Sequence, residues 1–307
     1  MIVKSYKDQV QLVLRVLPEV AKETCFALHG GTAINLFIRE MPRLSVDIDL
    51  TYVYLEERQL SFQHISMALN QVKSRLERSI PDVVIDHEEA DLKLLIAHKG
   101  VSIKIEVNQL NRGIWGKVEK MELNDAVQVE YDAYCSINMV PFGLLFGGKI
   151  CAALDRQHPR DLFDVRYLLA NEGMTEDIKI GFLLCLLSSK RPINEILFPR
   201  FIDQEKAMKN KFEGMSSVRF TYNMFEQTRA DLVSRVHSRI SSDDIDFILK
   251  FKAIEPDWSV HNFQAFPGVK WKLMNLRKLK STDPVKYQGQ FERLKVNLEE
   301  MDKLKLI

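Results

Sequence analysis

The sequence has no long apolar run. Its most hydrophobic stretch, Ile180 to Leu187, falls far short of the roughly 18 residues a membrane-spanning helix needs. The N-terminus, Met-Ile-Val-Lys-Ser-Tyr-Lys-Asp, has no extended hydrophobic region, so export by signal peptide is not expected. Cysteine is sparse: Cys25, Cys135, Cys151 and Cys185 lie far apart with no C-x-x-C pair. That argues against a zinc cluster or disulfide framework and fits a reducing cytosol. Charge of one sign is missing too, because 43 Lys and Arg face 42 Asp and Glu. No global field then marks a nucleic-acid or membrane binder. Internal repeats and low-complexity tracts are absent. What is present, 46% hydrophobic and 28% charged residues over 307 positions, excludes disorder. The length implies two domains or one elaborated core.

The first half alternates strand and helix signals. Val10, Val13, Val16 and Leu17 recur at helical spacing over 7–20. Cys25–Leu28 is a short apolar run stopped by His29-Gly30-Gly31, a buried strand ending at a glycine turn. Thr32 is placed to cap a helix through Arg39 that Pro42 stops. Residues 45–53 alternate with period two and read as a strand, and 56–79 as a long amphipathic helix. Strands follow at 83–86, 92–97 and 101–107, with edge strands expected over 117–134. From Pro141 the chain reads as helical: 142–156, 160–170, 176–188, 204–213, 218–239, 242–251 and a basic tail over 269–305. The expected fold is α+β, an α/β domain over 1–140 followed by a helical domain over 141–307.

The segment richest in chemistry is Gly30-Gly31-Thr32 followed by Asp47-Ile48-Asp49. Side chains two apart on a strand share a face, so Asp47 and Asp49 point together. Two adjacent carboxylates repel unless a cation compensates, and one or two carboxylates plus substrate phosphates suit Mg²⁺. Glycines let a backbone approach phosphate closely, and a helix start presents N–H groups to an anion. Glu106, in Lys-Ile-Glu-Val-Asn, offers a third carboxylate; it equally fits simple pairing with Lys104. Lys149 interrupts an apolar helix and is either a phosphate contact or a lysine snorkelling from a core. Asp161 and Asp164 share a helix face, although Asp161 also fits a helix cap and Asp164 a partner of Arg160 or Arg156. His29 reads as a satisfied strand-end residue and Trp115 as a packed loop anchor. Between 270 and 295, eight Lys and Arg face only Asp283 and Glu292. Lys270, Trp271, Lys272, Arg277 and Lys278 there mix an aromatic with phosphate-seeking charge, and the plain alternative is a solvated helix face.

These motifs, His-Gly-Gly-Thr-Ala-Ile-Asn-Leu, Arg-Leu-Ser-Val-Asp-Ile-Asp-Leu, Lys-Ile-Glu-Val-Asn, Gly-Gly-Lys-Ile-Cys-Ala-Ala-Leu-Asp-Arg and Arg-Asp-Leu-Phe-Asp-Val, resemble the AbiEii/AbiGii-type toxin family, nucleotidyltransferase-like members of the polymerase-β superfamily. Phe266-Pro267-Gly268-Val269-Lys270-Trp271-Lys272-Leu273 is similar to that family's C-terminal signature. The resemblance implies a toxin of a toxin–antitoxin or phage-defence operon, with a separately encoded antitoxin of the AbiEi kind. It implies an NTP substrate, Mg²⁺ or Mn²⁺, and nucleotide transfer to the 3′ end of tRNA in the cytoplasm, blocking translation. Asp47 and Asp49 would bind metal, Lys149 the triphosphate, and Asp161 and Asp164 would carry later catalytic motifs, with Glu106 or Asp161 as third carboxylate. Gly30, Gly31 and Thr32 would line the phosphate side, through the Thr32 hydroxyl or backbone N–H groups alone. Transfer to a small-molecule hydroxyl or to protein, and a non-catalytic NTP- or tRNA-sequestering protein, are the other readings.

Overall fold

A computed structural model describes residues 4–305; the first three and the last two residues of the sequence lie outside the described residues. The elements are α1 (Lys4–Val20), β1 (Phe26–His29), α2 (Gly30–Thr32), β2 (Asp47–Tyr52), α3 (Arg58–Ser79), β3 (Val84–Glu88), β4 (Lys93–His98), β5 (Val101–Val107), β6 (Glu119–Glu122), α4 (Asp125–Tyr131) and β7 (Ser136–Met139). After these come α5 (Phe142–Arg156), α6 (Pro159–Asn171), α7 (Glu176–Ser188), α8 (Ile193–Leu197), α9 (Glu205–Lys211), α10 (Tyr222–Arg239), α11 (Ser242–Ala253), α12 (Pro267–Thr282) and α13 (Pro284–Leu304). The fold class is the expected one, a seven-stranded mixed sheet with a helical C-terminal region.

The chain divides into two compact units, Met1–Pro141 with Lys209–Phe220, and Phe142–Met208 with Thr221–Ile307. A single cut near 140 misses the return of 209–220. In that segment Met215 O accepts from Leu44 N at 2.7 Å and Ser216 Oγ donates to Pro42 O at 2.7 Å.

In the first unit the strand order is β3-β4-β5-β2-β1-β7-β6. Strand β2 runs antiparallel to β1 and parallel to β5. One sheet face is closed by α1 and α3. Val10, Val13, Val16 and Leu17 of α1 and Ile65, Leu69, Val72 and Leu76 of α3 are fully buried, as are Ile48, Leu50 and Ile105 of the sheet. Period-two alternation therefore sends Asp47 and Asp49 to the opposite face.

The 117–134 expectation is corrected: β6 is a strand, but Asn124 Oδ1 accepts from Ala126 N at 3.0 Å and starts a helix, α4. Thr32 is not a cap either. Helical geometry begins at Gly30 and widens into a π-helix over Ala33–Ile38, where Arg39 N reaches Ile34 O at 2.9 Å. The tail is two helices: Asp283 accepts from Lys286 N at 2.9 Å and Pro284 opens α13.

In the second unit α5 and α7 cross closely because glycine faces backbone. A Cβ on Gly147 would overlap Phe182 N, and one on Gly181 would overlap Gly143 O.

Candidate active site

Strand β2 is the platform. Its parallel register with β5 sets Asp47 opposite Lys104 and Asp49 opposite Glu106, so the three carboxylates share one sheet face. Lys104 Nζ lies 2.7 Å from Glu106 Oε2. Burial lowers the Lys104 pKa, but the hydrogen bond to Glu106 and the charges of Asp47, Glu106 and Asp49 outweigh it, and the net shift is upward. Lys104 thus reports a negative field over this face. The plain reading of Glu106, pairing with Lys104, is what the structure shows. The signal of Lys104, a basic residue two before Glu106 on its strand, was available in the sequence.

The Gly-Gly turn abuts the same carboxylates. Gly30 has φ 74°, in the left-handed region, and a Cβ there would overlap Asp49 Oδ2. Glycine is required on both counts, and the missing side chain leaves a cradle that Asp49 fills. At Gly31 a Cβ would sit 2.7 Å from an Arg43 terminal nitrogen and 2.8 Å from Ser45 Oγ. Arg43 is 3% exposed and donates to Leu44 O at 2.9 Å. Sequence reasoning assigned no role to Arg43 or Ser45, although the alternation through Asp47 and Asp49 runs back to both.

Thr32 is corrected in role. It is fully buried, its hydroxyl donates to Asp47 O, and it lies 3.1 Å from Ser45 Oγ. It ties the turn to β2. His29 reaches Thr51 Oγ1 at 3.5 Å, as a strand-end residue would.

Among the described residues, no group of three or more His, Cys, Asp and Glu side chains is arranged to hold a metal ion. Magnesium is commonly held by one or two carboxylates plus substrate phosphates. Asp47 and Asp49, sharing a face beside a side-chain-free turn, fit that donor set.

The second unit brings its own candidates together. Lys149 Nζ lies 3.0 Å from both Asp161 Oδ1 and Asp164 Oδ2, with all three side chains nearly inaccessible. Arg156 Nε donates to Asp161 Oδ2 at 2.6 Å. Burial raises the Asp161 pKa, but Lys149 and Arg156 overcome that and hold it well below the usual carboxylate range. His158, not Asp161, occupies the cap of α6. The lysine is therefore neither snorkelling nor open: it is the centre of a buried ion cluster.

The basic tail loses one member. Lys270, Arg277 and Lys278 are exposed and Trp271 is half-buried, but Lys272 is 5% exposed. Lys272 donates to Ser189 O at 2.7 Å and to Arg191 O at 2.5 Å, and burial pulls its pKa down to about 8. It holds carbonyls beyond the end of α7 rather than facing a ligand.

No curated protein sequence matches the chain. Among solved structures, MenT4, a nucleotidyltransferase toxin of Mycobacterium tuberculosis H37Rv, is similar with a TM-score of 0.63, covering 89% of this chain and 93% of that one. At 11% identity that likeness is one of fold. A family model described as the nucleotidyl transferase AbiEii toxin of type IV toxin–antitoxin systems matches residues 11–221, a span that includes β1, β2, β5 and the Lys149 cluster. The chain therefore belongs to the AbiEii family and is a nucleotidyltransferase toxin of a type IV toxin–antitoxin system.

Proposed function

We propose that the chain transfers a nucleoside monophosphate from an NTP to the 3′ end of tRNA, with Mg²⁺ or Mn²⁺, and thereby blocks translation in the cytoplasm. The observation that supports this best is the Asp47–Asp49 pair set against the Gly30 cradle on one sheet face. Asp47 and Asp49 would hold the metal, and Glu106 is the third acid of their face. A bound divalent ion would neutralise phosphate charge and align the reacting groups. Gly30 and Gly31 would admit the triphosphate close to the backbone, while Thr32 keeps the turn in register with Asp47. Lys149 is assigned to the triphosphate by the family motif alone, and Asp161 and Asp164 would hold its ammonium in place. The exposed cations Lys270, Arg277 and Lys278 with Trp271 would take RNA phosphates, since phosphate contacts dominate such binding. The family implies an antitoxin partner; we take it to be of the separately encoded AbiEi kind, in an operon serving phage defence.

The test incubates purified protein and total tRNA with Mg²⁺ and each α-labelled NTP in turn, beside Asp49→Ala. Labelled tRNA with one NTP, lost in the variant, is the expected result. Label on a small molecule or a protein instead would overturn the tRNA assignment. No label with any acceptor, despite NTP binding, would point to sequestration.

A further inference from the structure

Between α8 and α9 the chain has no regular secondary structure, yet its backbone over 200–204 is held at several points. Gln157 Nε2 donates to Arg200 O at 2.7 Å, and Gln157 Oε1 accepts from Ile202 N at 3.2 Å. Arg229 Nη1 donates to Ile202 O at 2.7 Å and to Gln157 Oε1 at 3.0 Å. Tyr222 Oη donates to Asp203 Oδ1 at 3.0 Å and accepts from Gln204 N at 3.1 Å. Two of these clamps cost free energy. Gln157 is buried with φ 48°, in the left-handed region, and Arg229 is a buried guanidinium with Glu226 3.7 Å away. What they hold in place faces solvent: Phe201 is 51% exposed, and Ile202 is exposed beside it. The Arg229 guanidinium lies over the Phe201 ring, 4.2 Å from its centroid, so the exposure belongs to the ring's other face and edge.

We propose that Phe201 is a stacking platform for a nucleobase. The proposal rests on the reading of the chain as an enzyme that joins an NTP to RNA. Two reactants then carry a base able to stack, the NTP and the unpaired end of the RNA. A lone exposed aromatic is ordinary. One backed by a buried guanidinium and fixed by its flanking main chain is preorganised, so little freedom is lost when a second ring stacks on it. Every base has a π-face, and an aromatic side chain takes it whatever the sequence. Arg200, exposed and next in the chain, supplies charge for a phosphate. The segment is also tied to the Lys149 cluster: Gln204 Nε2 donates to Arg156 O at 3.0 Å, and Arg156 donates to Asp161.

The test places an indole on the platform. Full-length Phe201→Trp, with Mg²⁺, is titrated with each NTP, with a single-stranded RNA oligomer and with an abasic oligomer of the same length. Its fluorescence is read against the wild type, whose three tryptophans set the baseline. A stacked base quenches the added indole, so quenching beyond the baseline by an NTP or by the RNA is expected, and the ligand that quenches names the source of the base. The abasic oligomer should leave the added fluorescence unchanged. By calorimetry, Phe201→Ala and Phe201→Leu should bind the quenching ligand about fivefold to a hundredfold more weakly than wild type, the span of one base–aromatic stack, and Phe201→Tyr should restore binding. Leucine keeps the apolar contact, so a Phe201→Leu variant that binds like wild type overturns the proposal. So does an added indole that no base-bearing ligand quenches, or that the abasic oligomer quenches equally. Circular dichroism of each variant separates these outcomes from unfolding. Label transfer to tRNA is measured alongside. Transfer by the wild type without quenching in Phe201→Trp removes the platform and leaves the reaction; quenching by an NTP without labelled tRNA removes the tRNA acceptor and leaves the platform.

Discussion

Gly30 is constrained twice, by φ 74° and by the Asp49 carboxylate occupying the space of a side chain. Gly30→Ala should cost about 1–2 kcal/mol of stability through backbone strain. Its effect on transfer should be larger, about tenfold or more, because a displaced Asp49 spoils alignment at the reacting centre. Urea midpoints and transfer rates measured together check this, and a variant with the wild-type rate would remove Asp49 from the site. Asp161 gives a prediction in pH. Its carboxyl is held below the ordinary value by Lys149 and Arg156, while in the unfolded chain it titrates near pH 4. The folded state therefore gains stability that is present in full above that value and is lost as pH falls below it. Urea midpoints between pH 7 and pH 3 should drop more for the wild type than for Asp161→Asn; parallel curves would refute the assignment. Much at this scale was legible. Period two placed Asp47 and Asp49 together without any structure. Lys272 was legible too and was read wrongly: it falls on the buried stripe of Val269, Leu273 and Leu276. Its charge outweighed its spacing in the reading, whereas in the fold two carbonyls compensate it. Thr32 was misplaced because a capping hydroxyl and a hydroxyl tying two segments have the same local sequence.

The crossing of α5 with α7 depends on Gly143, Gly147 and Gly181, where each helix meets the other's backbone. Gly147→Val forces the helices apart, because the opposing atom is the main-chain nitrogen of Phe182 and cannot swing aside. Overpacking of this kind costs about 1–3 kcal/mol or more, visible as a lower thermal midpoint. A variant melting at the wild-type temperature would show that the helices do not meet there. Helices α5, α6 and α7 were recognisable in the sequence because the recurrence of apolar residues is a local signal. The pairing of β2 with β5 was not: more than fifty residues separate Asp49 from Glu106, and no local pattern fixes which strand a strand will join. The short α8 lacks enough turns to show a period.

At the scale of the whole chain, the first unit is discontinuous. Leu44 and Pro42 find hydrogen-bond partners in Met215 and Ser216. A chain ending at residue 141 should therefore be less cooperative in unfolding than the full protein, with faster amide exchange at Leu44. Hydrogen-exchange mass spectrometry checks this; equal protection at Leu44 in both would show that the returning segment is dispensable. This closure was hidden because 209–213 and 218–220 read as parts of the neighbouring helices, and only the folded register reveals what the strip joins.

The same arrangement imposes an order on synthesis. When Pro141 leaves the ribosome, the sheet with its carboxylates is complete in sequence, but the strip that joins the segment before Asp47 has not been made. Translating the intervening stretch takes on the order of ten seconds at ordinary elongation rates. For a protein poisonous to the cell that makes it, nascent chains are thereby kept unfinished until residues 209–220 have been translated.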